Sequence, residues 1–211
     1  FYVFNDHVES KDNSIINGDN IFVGSLVDFA NSRPDIFKKH YNKLQSDGVS
    51  ALNTLLAQDG VVIYLADGYK APKNIQVVNL TVGDMPVMTN RRVMIILGKE
   101  AEASLLFCDH SITKQPHLTT EVSEVFLGEK SKLRFCAIEE TNEINSLFRT
   151  TNIVQQADSK LAYADITLHN GITRHTLDHH LTGTKASAQF SGLVIGDGTQ
   201  HIDNNLLVSH E

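Results

Sequence analysis

Gly128-Glu129-Lys130-Ser131-Lys132-Leu133-Arg134-Phe135 is one of four similar stretches in this chain. The others begin at Gly98, Gln156 and Gly183, so the copies follow one another at a nearly constant interval. Each copy has a turn, a small residue and then apolar residues at every second position. Period two within a copy indicates a strand with one buried face, and the longer period indicates two or three strands in each coil. The pattern predicts a mainly β fold of stacked parallel coils, a β-helix or solenoid. A β-sandwich whose strands have this spacing by coincidence is the alternative.

The segments before the repeat have a different character. Val61–Leu65, Ile75–Leu80 and Val93–Leu97 are apolar runs bounded by Gly, Asp, Asn or Pro, which is typical of strands. Helical periodicity is confined to the first quarter of the chain. We therefore expect an N-terminal arm with helices over residues 1–58 and a β-helix core over residues 59–211.

The N-terminal segment predicts short elements. We expect an extended piece at Phe1–Phe4 and a small hairpin or irregular arm over the polar stretch Asn5–Asn20. Leu26, Phe29 and Ala30 have the spacing of a helical turn, which Pro34 interrupts before a second helix over Asp35–Leu44. Asp47 or Ser50 begins a third helix that ends near Ala57, with Gly60 placed as its C-terminal cap.

Composition narrows the classes of function. Lys and Arg number 18 against 25 Asp and Glu, so the formal charge is −7, which repels nucleic acid. The longest apolar runs are five or six residues, as in Val61–Ala66, far below the roughly 20 of a membrane-spanning helix. Two cysteines are too few for a disulfide framework, which favours a reducing cytoplasm.

An ordered series of short motifs runs through Asp59–Gly68, Ala71–Val77, Asn90–Gly98, Arg174–Gly183 and Gln200–Asn204. This series resembles the SufB/SufD family of iron-sulfur cluster assembly proteins. Asp59–Gly68 and Ala71–Val77 are similar to the family's "G-x-x-I-x-V-P-x-G... P-I-x-V" entry into its core. Asn90–Gly98 is similar to "R-x-L-I-x-x-G", and Arg174–Gly183 to "R-x-x-x-x-x-L-x-G". Gln200–Asn204, followed by His210, is similar to "Q-x-x-D... H". The ordered series covers most of the chain.

The resemblance implies a right-handed parallel β-helix flanked by helices. The helical segment that leads into Ala51-Leu52-Asn53 is more similar to SufD than to SufB. A SufD-like protein is expected to act as a scaffold subunit beside SufB and the ATPase SufC, or as a homodimer when isolated. Such a complex assembles iron-sulfur clusters and delivers them to acceptor proteins. The chain contains no G-x-x-x-x-G-K-[ST] motif, so ATP hydrolysis is expected from the partner.

The chain departs from the family at its functional segment. The family's "D-D-x-x-C-x-H-G-A-x-x-G" stretch and its SufC-binding helices lie toward the C-terminus, and neither occurs here. Because the sequence stops within a strand pattern, we expect the core to be truncated at this end. The resemblance therefore carries no catalytic, cofactor-binding or metal-ligating residue over to this chain, and we expect neither an enzyme nor a resident cofactor. An iron-sulfur cluster would be handled by the complex.

The histidines give a metal-binding alternative, a cupin-like protein. They cluster late in the chain, and His175 and His179 would share one face of a strand, whereas His180 would lie on the other. The stretch Leu181–Lys185 supplies no carboxylate to complete a site. Histidines that only form hydrogen bonds are the expectation. The six are His169, His175, His179, His180, His201 and His210.

Cys108 and Cys136 are separated by close to one coil of the repeat, and thiolates are natural ligands of iron. Both are at odd offsets from the small residue of their copy, so both are expected to face away from the interior. A two-residue offset between neighbouring strands separates them by about 8 Å, beyond disulfide reach. Two free thiols are the expectation.

Charged residues give a second alternative, a β-helix carbohydrate-active enzyme. Such enzymes cluster acids and bases on one face of the solenoid, and Arg91-Arg92 with Asp109-His110 fits this pattern. Glu139-Glu140, and Glu100 with Glu102, are paired acids beside turns and lysines. For these pairs we expect a solvated charge cluster.

Overall fold

The computed structural model of the chain describes residues 1–9, 16–44 and 47–210. Part of the predicted arm over Asn5–Asn20, residues 10–15, lies outside the described residues, as does Glu211 at the end of the predicted core. The N-terminal elements are β1 (Tyr2–Phe4), β2 (His7–Val8), β3 (Ile16–Gly18), β4 (Ile21–Ser25), α1 (Leu26–Ser32), α2 (Pro34–His40) and α3 (Gly48–Leu56).

From Gly60 onward the chain coils through two sheets, placing strands alternately in each. Sheet A contains β6 (Ile75–Thr81), β8 (Glu102–Ser111), β10 (Lys132–Glu140), β12 (Lys160–His169) and β14 (Ser187–Val194), and β1 and β2 extend it. Sheet B contains β5 (Gly60–Leu65), β7 (Val87–Leu97), β9 (His117–Leu127), β11 (Asn145–Gln155), β13 (Ile172–Leu181) and β15 (His201–His210), and β4 and β3 extend it.

Neighbouring solenoid strands are parallel throughout both sheets. The mainly β solenoid fold predicted from the repeat is thereby confirmed, with two strands in each coil. A sandwich of antiparallel sheets and a closed cupin-like barrel are both excluded. Within the described chain, no helix is both long and apolar enough to cross a membrane.

The four sequence copies stack in register in sheet A. Phe135 lies beside Leu105 and Tyr163 on the neighbouring strands, and Tyr163 lies beside Phe190. The rings of Phe107, Phe135, Tyr163 and Phe190 form a ladder with centroid separations of 5.1, 5.2 and 6.0 Å. Each coil therefore covers the apolar side of the next, which a single coil could not bury alone.

The turns of the four copies have the same backbone form. Their third residues, Glu100, Lys130, Asp158 and Lys185, have φ between 58 and 60° although none is glycine. Neighbouring turns also approach closely, since a Cβ on Gly128 would lie 2.8 Å from the carbonyl carbon of Gly98. The left-handed residue reverses the chain, and the glycine allows the turns to stack.

The three predicted helices are present, with two corrections at their ends. Ser25 caps α1, Pro34 is the first residue of α2, and Asp47 caps α3 through a hydrogen bond from the Ser50 amide. However, α2 ends at His40 rather than Leu44. Gly60 begins β5 instead of capping α3, whose C-cap is Ala57. A glycine fits there because a Cβ would lie 2.3 Å from the Arg92 carbonyl oxygen.

The helical segment is fastened to the outer face of sheet B by buried polar groups. Glu124 accepts hydrogen bonds from the backbone amides of residues 42–44, at 2.7 to 2.9 Å. Its Oε2 also lies 2.7 Å from Nη2 of Arg92. Asn53 donates from Nδ2 to the Arg91 carbonyl and to Thr120 Oγ1, both at 3.0 Å. Charge and hydrogen bonding therefore fix the position of this segment.

Candidate functional site

The interior of the solenoid holds charged side chains beside its apolar core. Arg91, Glu121, Arg149 and His175 come from four successive strands of sheet B and lie in register. All four are buried, with 2 to 6 % of their surface exposed. Sheet A adds Asp109, which is equally buried. Charges at such positions require partners, because an isolated buried charge is strongly unfavourable.

Four of these residues form a closed ring of ion pairs, here named the lumen cluster: Arg91, Asp109, Glu121 and Arg149. Arg91 Nη1 lies 2.6 Å from Asp109 Oδ1, and Arg91 Nη2 lies 2.9 Å from Glu121 Oε2. Arg149 completes the ring through Nη2, 2.5 Å from Asp109 Oδ2, and Nε, 2.9 Å from Glu121 Oε1. Two cations and two anions make the ring neutral.

The ring favours the charged forms of Asp109 and Arg91. Burial favours the neutral form of Asp109, but Arg91 and Arg149 outweigh burial and lower the pKa of this carboxyl. Burial likewise opposes the charge of Arg91, yet Asp109 and Glu121 raise its pKa. Because each carboxylate is engaged by both arginines, the lumen cluster is suited to holding the coils together rather than to transferring protons.

His175 adjoins this ring and forms a second group with Asp165 and Glu139, the His175 cluster. Nδ1 of His175 lies 2.7 Å from Asp165 Oδ2, and Nε2 lies 3.5 Å from Glu139 Oε2. Burial alone would lower the pKa of His175, but the two carboxylates outweigh it and raise the pKa to about 8. This side chain can therefore gain or lose a proton near neutral pH.

The His175 cluster borders a cavity at the last coil. The cavity measures about 290 Å³ and lies between β12, β13, β14 and β15. Asp165 and His175 line it together with Tyr163, Phe190 and Asn204. Burial raises the pKa of the Tyr163 hydroxyl, so that this group stays protonated. The charged interior is thus in contact with a cavity at one end of the described solenoid.

The residues considered for a carbohydrate-active enzyme do not share one exposed face. Arg91 and Asp109 meet inside the solenoid, in the lumen cluster. Arg92 lies on the outside of sheet B under the helical segment, with Glu124. His110 lies on the outside of sheet A, 3.5 Å from Glu140. Consecutive residues of a strand point to opposite faces, which separates each pair.

The two carboxylate pairs have different surroundings. Glu100 and Glu102 form ion pairs with lysines at the surface, as predicted. Glu140 is also exposed, but Glu139 is only 1 % exposed, so the expected solvated cluster is wrong for this residue. Glu139 points inward, where it accepts a hydrogen bond from Thr173 Oγ1 at 2.7 Å.

The histidines divide between the interior and the surface. His175 and His179 share the inner face of β13, as predicted, and His180 lies on its outer face. His179 Nε2 lies 2.6 Å from Gln155 Oε1, and burial lowers the pKa of His179 to about 4. His169, His201 and His210 are exposed. In residues 1–9, 16–44 and 47–210, no group of three or more His, Cys, Asp or Glu side chains could hold a metal ion.

Cys108 and Cys136 are free thiols on neighbouring strands. Cys108 lies beside Ile138, and Cys136 beside Leu106, which confirms the predicted two-residue offset. Cys108 is buried, and its Sγ accepts a hydrogen bond from Gln76 Nε2 at 3.8 Å. Burial raises the pKa of the Cys136 thiol. A raised pKa lowers the thiolate fraction and with it the reactivity of this group.

Sequence reasoning missed Glu121, Arg149 and Asp165, which complete both charged clusters. A signal was available in the periodicity. Arg91, Glu121 and Arg149 recur at the same two intervals that relate the small residues Ala101, Ser131 and Ser159 of the first three turn copies. Applying the repeat to the second strand of each coil would have placed opposite charges above one another.

Comparisons with known proteins agree with this architecture. Residues 79–211 match the family model of the SUF system FeS cluster assembly SufBD core domain, and residues 1–77 match the SufBD protein N-terminal region. A relative from Synechocystis sp., an iron-sulfur cluster assembly SufBD family protein, is 24 % identical over 169 residues. That alignment covers 76 % of this chain and 37 % of the relative, so the chain spans well under half of the relative's length. The core model alone covers more than half of the chain, which therefore belongs to the SufBD family of iron-sulfur cluster assembly proteins.

Proposed function

We propose that this chain acts as a non-catalytic scaffold within a cytoplasmic SUF-type complex, in the position of SufD. Its partners are a SufB-like subunit and a SufC-like ATPase, and the isolated protein pairs with a second copy. Family membership supports a role in iron-sulfur cluster assembly. The helical segment that precedes the core supports the SufD position within that family.

The scaffold proposal rests on the last coil, formed by β14 and β15, whose outer strand edges are unpaired among the described residues and whose apolar side chains are exposed. β14 and β15 each pair with a solenoid strand on one side only within the described chain. Large apolar side chains are exposed there, including Leu193, Leu206 and Leu207, at 50 to 57 %. Unpaired strand edges beside exposed apolar groups associate by strand addition, and the added strand comes either from a partner or from the rest of the gene product.

The cluster itself is cargo of the complex in this proposal, not a cofactor of these residues. The interior positions of sheet B at Arg91, Glu121 and Arg149 are filled by the lumen cluster, whose atoms already engage one another at 2.5 to 2.9 Å. The two thiols lie on sheet A, and burial raises the pKa of the Cys136 thiol. These contacts favour a structural role for this part of the chain.

The test is photo-crosslinking in the complete gene product. A photoreactive phenylalanine replaces Leu193 or Leu207 at the last coil, and Leu55 serves as the control because it is 79 % exposed on α3. The protein is co-expressed with the SufB-like and SufC-like subunits of its own organism. Co-purification of the three chains, with crosslinks to the SufB-like chain from positions 193 and 207 and not 55, is the expected result.

One result would overturn the scaffold function, and another would overturn only the docking site at the last coil. Failure of the complete gene product to co-purify with either subunit would remove the scaffold function. Co-purification with only intramolecular crosslinks at positions 193 and 207 would keep the complex, but would show that the protein's own chain covers the last coil.

A further inference from the structure

A groove on the outer face of sheet A is strongly basic. It has a volume of about 590 Å³ and crosses the N-terminal ends of β8, β10, β12 and β14. We name it the basic groove and define it by six charged lining residues: Lys70, Lys73, Glu102, Lys132, Arg134 and Lys160. Five of these residues are cationic and one is acidic, although the formal charge of the whole chain is −7.

Four of these residues form a ladder in register across the strands. Lys70 lies beside Glu102, Glu102 beside Lys132, and Lys132 beside Lys160. Glu102 Oε1 bridges the first two lysines, at 2.8 Å from Lys70 Nζ and 2.9 Å from Lys132 Nζ. Hydrogen bonds from Lys70 and Lys132 lower the pKa of Glu102 to about 2. One carboxylate between two lysines is thus the arrangement that this face already uses.

The next step of the ladder lacks such a carboxylate. Lys132 and Lys160 are direct neighbours on strands about 4.8 Å apart, and like charges directly opposite each other are unfavourable. Among the residues that the structure describes, Lys160, Lys73 and Arg134 form no ion pair with an acidic group. The interior of sheet B is different. There Arg91, Glu121 and Arg149 lie side by side on neighbouring strands, and their charges alternate in sign.

We propose that the basic groove binds an acidic, extended segment of a partner protein. A carboxylate of that segment lies between Lys132 and Lys160, as Glu102 lies between Lys70 and Lys132. Arg134, one pleat along β10 on the same outward face, contacts a second carboxylate of the segment. This binding is independent of the subunits proposed above, because it depends only on the charges of this face.

The distribution of charge favours a peptide over a small anion. Lys70 and Lys160 are separated by three strand spacings, about 14 Å, which corresponds to roughly four residues of extended chain. A phosphate ion would require donors that converge on one point. The floor of the groove includes the small residues Ser104 and Ala162, which leave space for a backbone.

The test is a titration of the complete gene product with a fluorescein-labelled eight-residue peptide of alternating Glu and Ser. Lys160→Glu introduces the missing carboxylate into the ladder, and we expect it to weaken peptide binding at least tenfold. Lys114→Glu is the matched control, because Lys114 is an exposed lysine in the turn before β9 and outside the groove. Arg134→Gln is a second groove variant with a smaller charge change. Circular dichroism establishes that each variant is folded.

Saturable binding that falls in Lys160→Glu and Arg134→Gln but persists in Lys114→Glu supports the proposal. Equal loss in Lys160→Glu and Lys114→Glu would overturn it, since only net charge would matter, and so would equal binding of a Gln-Ser peptide. Complete displacement by millimolar inorganic phosphate would show a small-anion site. Tighter binding of a single-stranded oligonucleotide would show the wrong class of partner, and no binding at all would remove the groove as a site.

Discussion

Arg149 on sheet B and Asp109 on sheet A meet inside the solenoid, with Nη2 and Oδ2 2.5 Å apart. This contact joins the two sheets across the interior at a level where the core is not apolar. Both side chains are 3 to 4 % exposed, so the ion pair is shielded from water and salt. The solenoid therefore depends on charge as well as on hydrophobic packing.

Arg149→Met is expected to destabilise the protein by about 3 to 5 kcal/mol, because it leaves Asp109 and Glu121 buried with one arginine between them. Urea unfolding measures the change. Arg134→Met is the control, since Arg134 is on the outer face of β10, and we expect a change within about 0.5 kcal/mol. Adding Glu121→Gln to Arg149→Met should cost less than the sum of the single changes, because it removes a buried unpaired charge. Additive losses would contradict a closed ring.

Protonation of His175 should make stability depend on pH above neutrality. The pKa of His175 is raised to about 8 from 6.5, so its stabilisation is complete below about pH 6.5 and is lost as the pH rises through 8. The expected loss is about 2 kcal/mol. Urea unfolding from pH 6.5 to 9 measures this loss. His175→Asn should abolish most of this loss of stability between pH 6.5 and 9. His201→Asn, a change at an exposed site, should leave the loss unchanged.

Below about pH 6.5 the free energy of unfolding should instead decrease as the pH falls. Burial lowers the pKa of His117 and of His179 to about 4, so both are neutral in the folded protein. The unfolded chain takes up protons first as the pH falls, and stability should decline from about pH 6.5 toward 4. Maximum stability is then expected near pH 6.5. His117→Asn and His179→Asn should each reduce the acid decline in urea unfolding at pH 4.5 to 6.5. A profile that is flat in the parent protein would contradict these assignments.

Phe135→Ala should destabilise the protein by about 3 to 5 kcal/mol, because the ring lies between Phe107 and Tyr163 in the aromatic ladder. Phe135→Leu should cost less, since it leaves a smaller cavity. Thermal unfolding monitored by circular dichroism measures both changes. Equal melting temperatures for the two variants would indicate that the ladder does not pack as described.

Gly128→Ala should destabilise the turns by about 1 to 3 kcal/mol, because its Cβ would lie 2.8 Å from the Gly98 carbonyl carbon. Gly192→Ala provides the matched control, since the nearest atom to its Cβ is 4.0 Å away. Both glycines have ordinary φ values, so the pair isolates the effect of close approach. Urea unfolding should separate the two variants, and equal destabilisation would show that backbone freedom, not stacking, is the cause.

The solenoid could be predicted because its cause is repeated along the chain. Small and apolar residues recur once in every coil, and period two within a copy specifies a buried face. Helix starts at Ser25 and Pro34 were also predictable, since capping is a local property. For the third helix the sequence left Asp47 and Ser50 open, and Asp47 is the cap. The prediction for Gly60 is wrong because its role depends on Arg92, which is distant in the sequence but lies on the neighbouring strand.

The charged interior was not predicted, for a physical reason. A charge on a strand is usually solvated, and a buried one is tolerated only if partners arrive from other coils. Asp165 and Glu139 approach His175 from strands of the opposite sheet. The spacing of residues along one strand therefore does not predict these contacts. The two-residue offset of Cys108 and Cys136, by contrast, followed from counting along the repeat.

The left-handed residues of the four turns have a consequence for engineering. Glu100, Lys130, Asp158 and Lys185 hold the same φ with three different side chains, so this position accepts chemical variety while the backbone remains constant. Successive coils place these residues along one border of the molecule at regular steps. Labels or grafted groups could therefore be attached along this border at regular spacing, without changing the packing of the solenoid core.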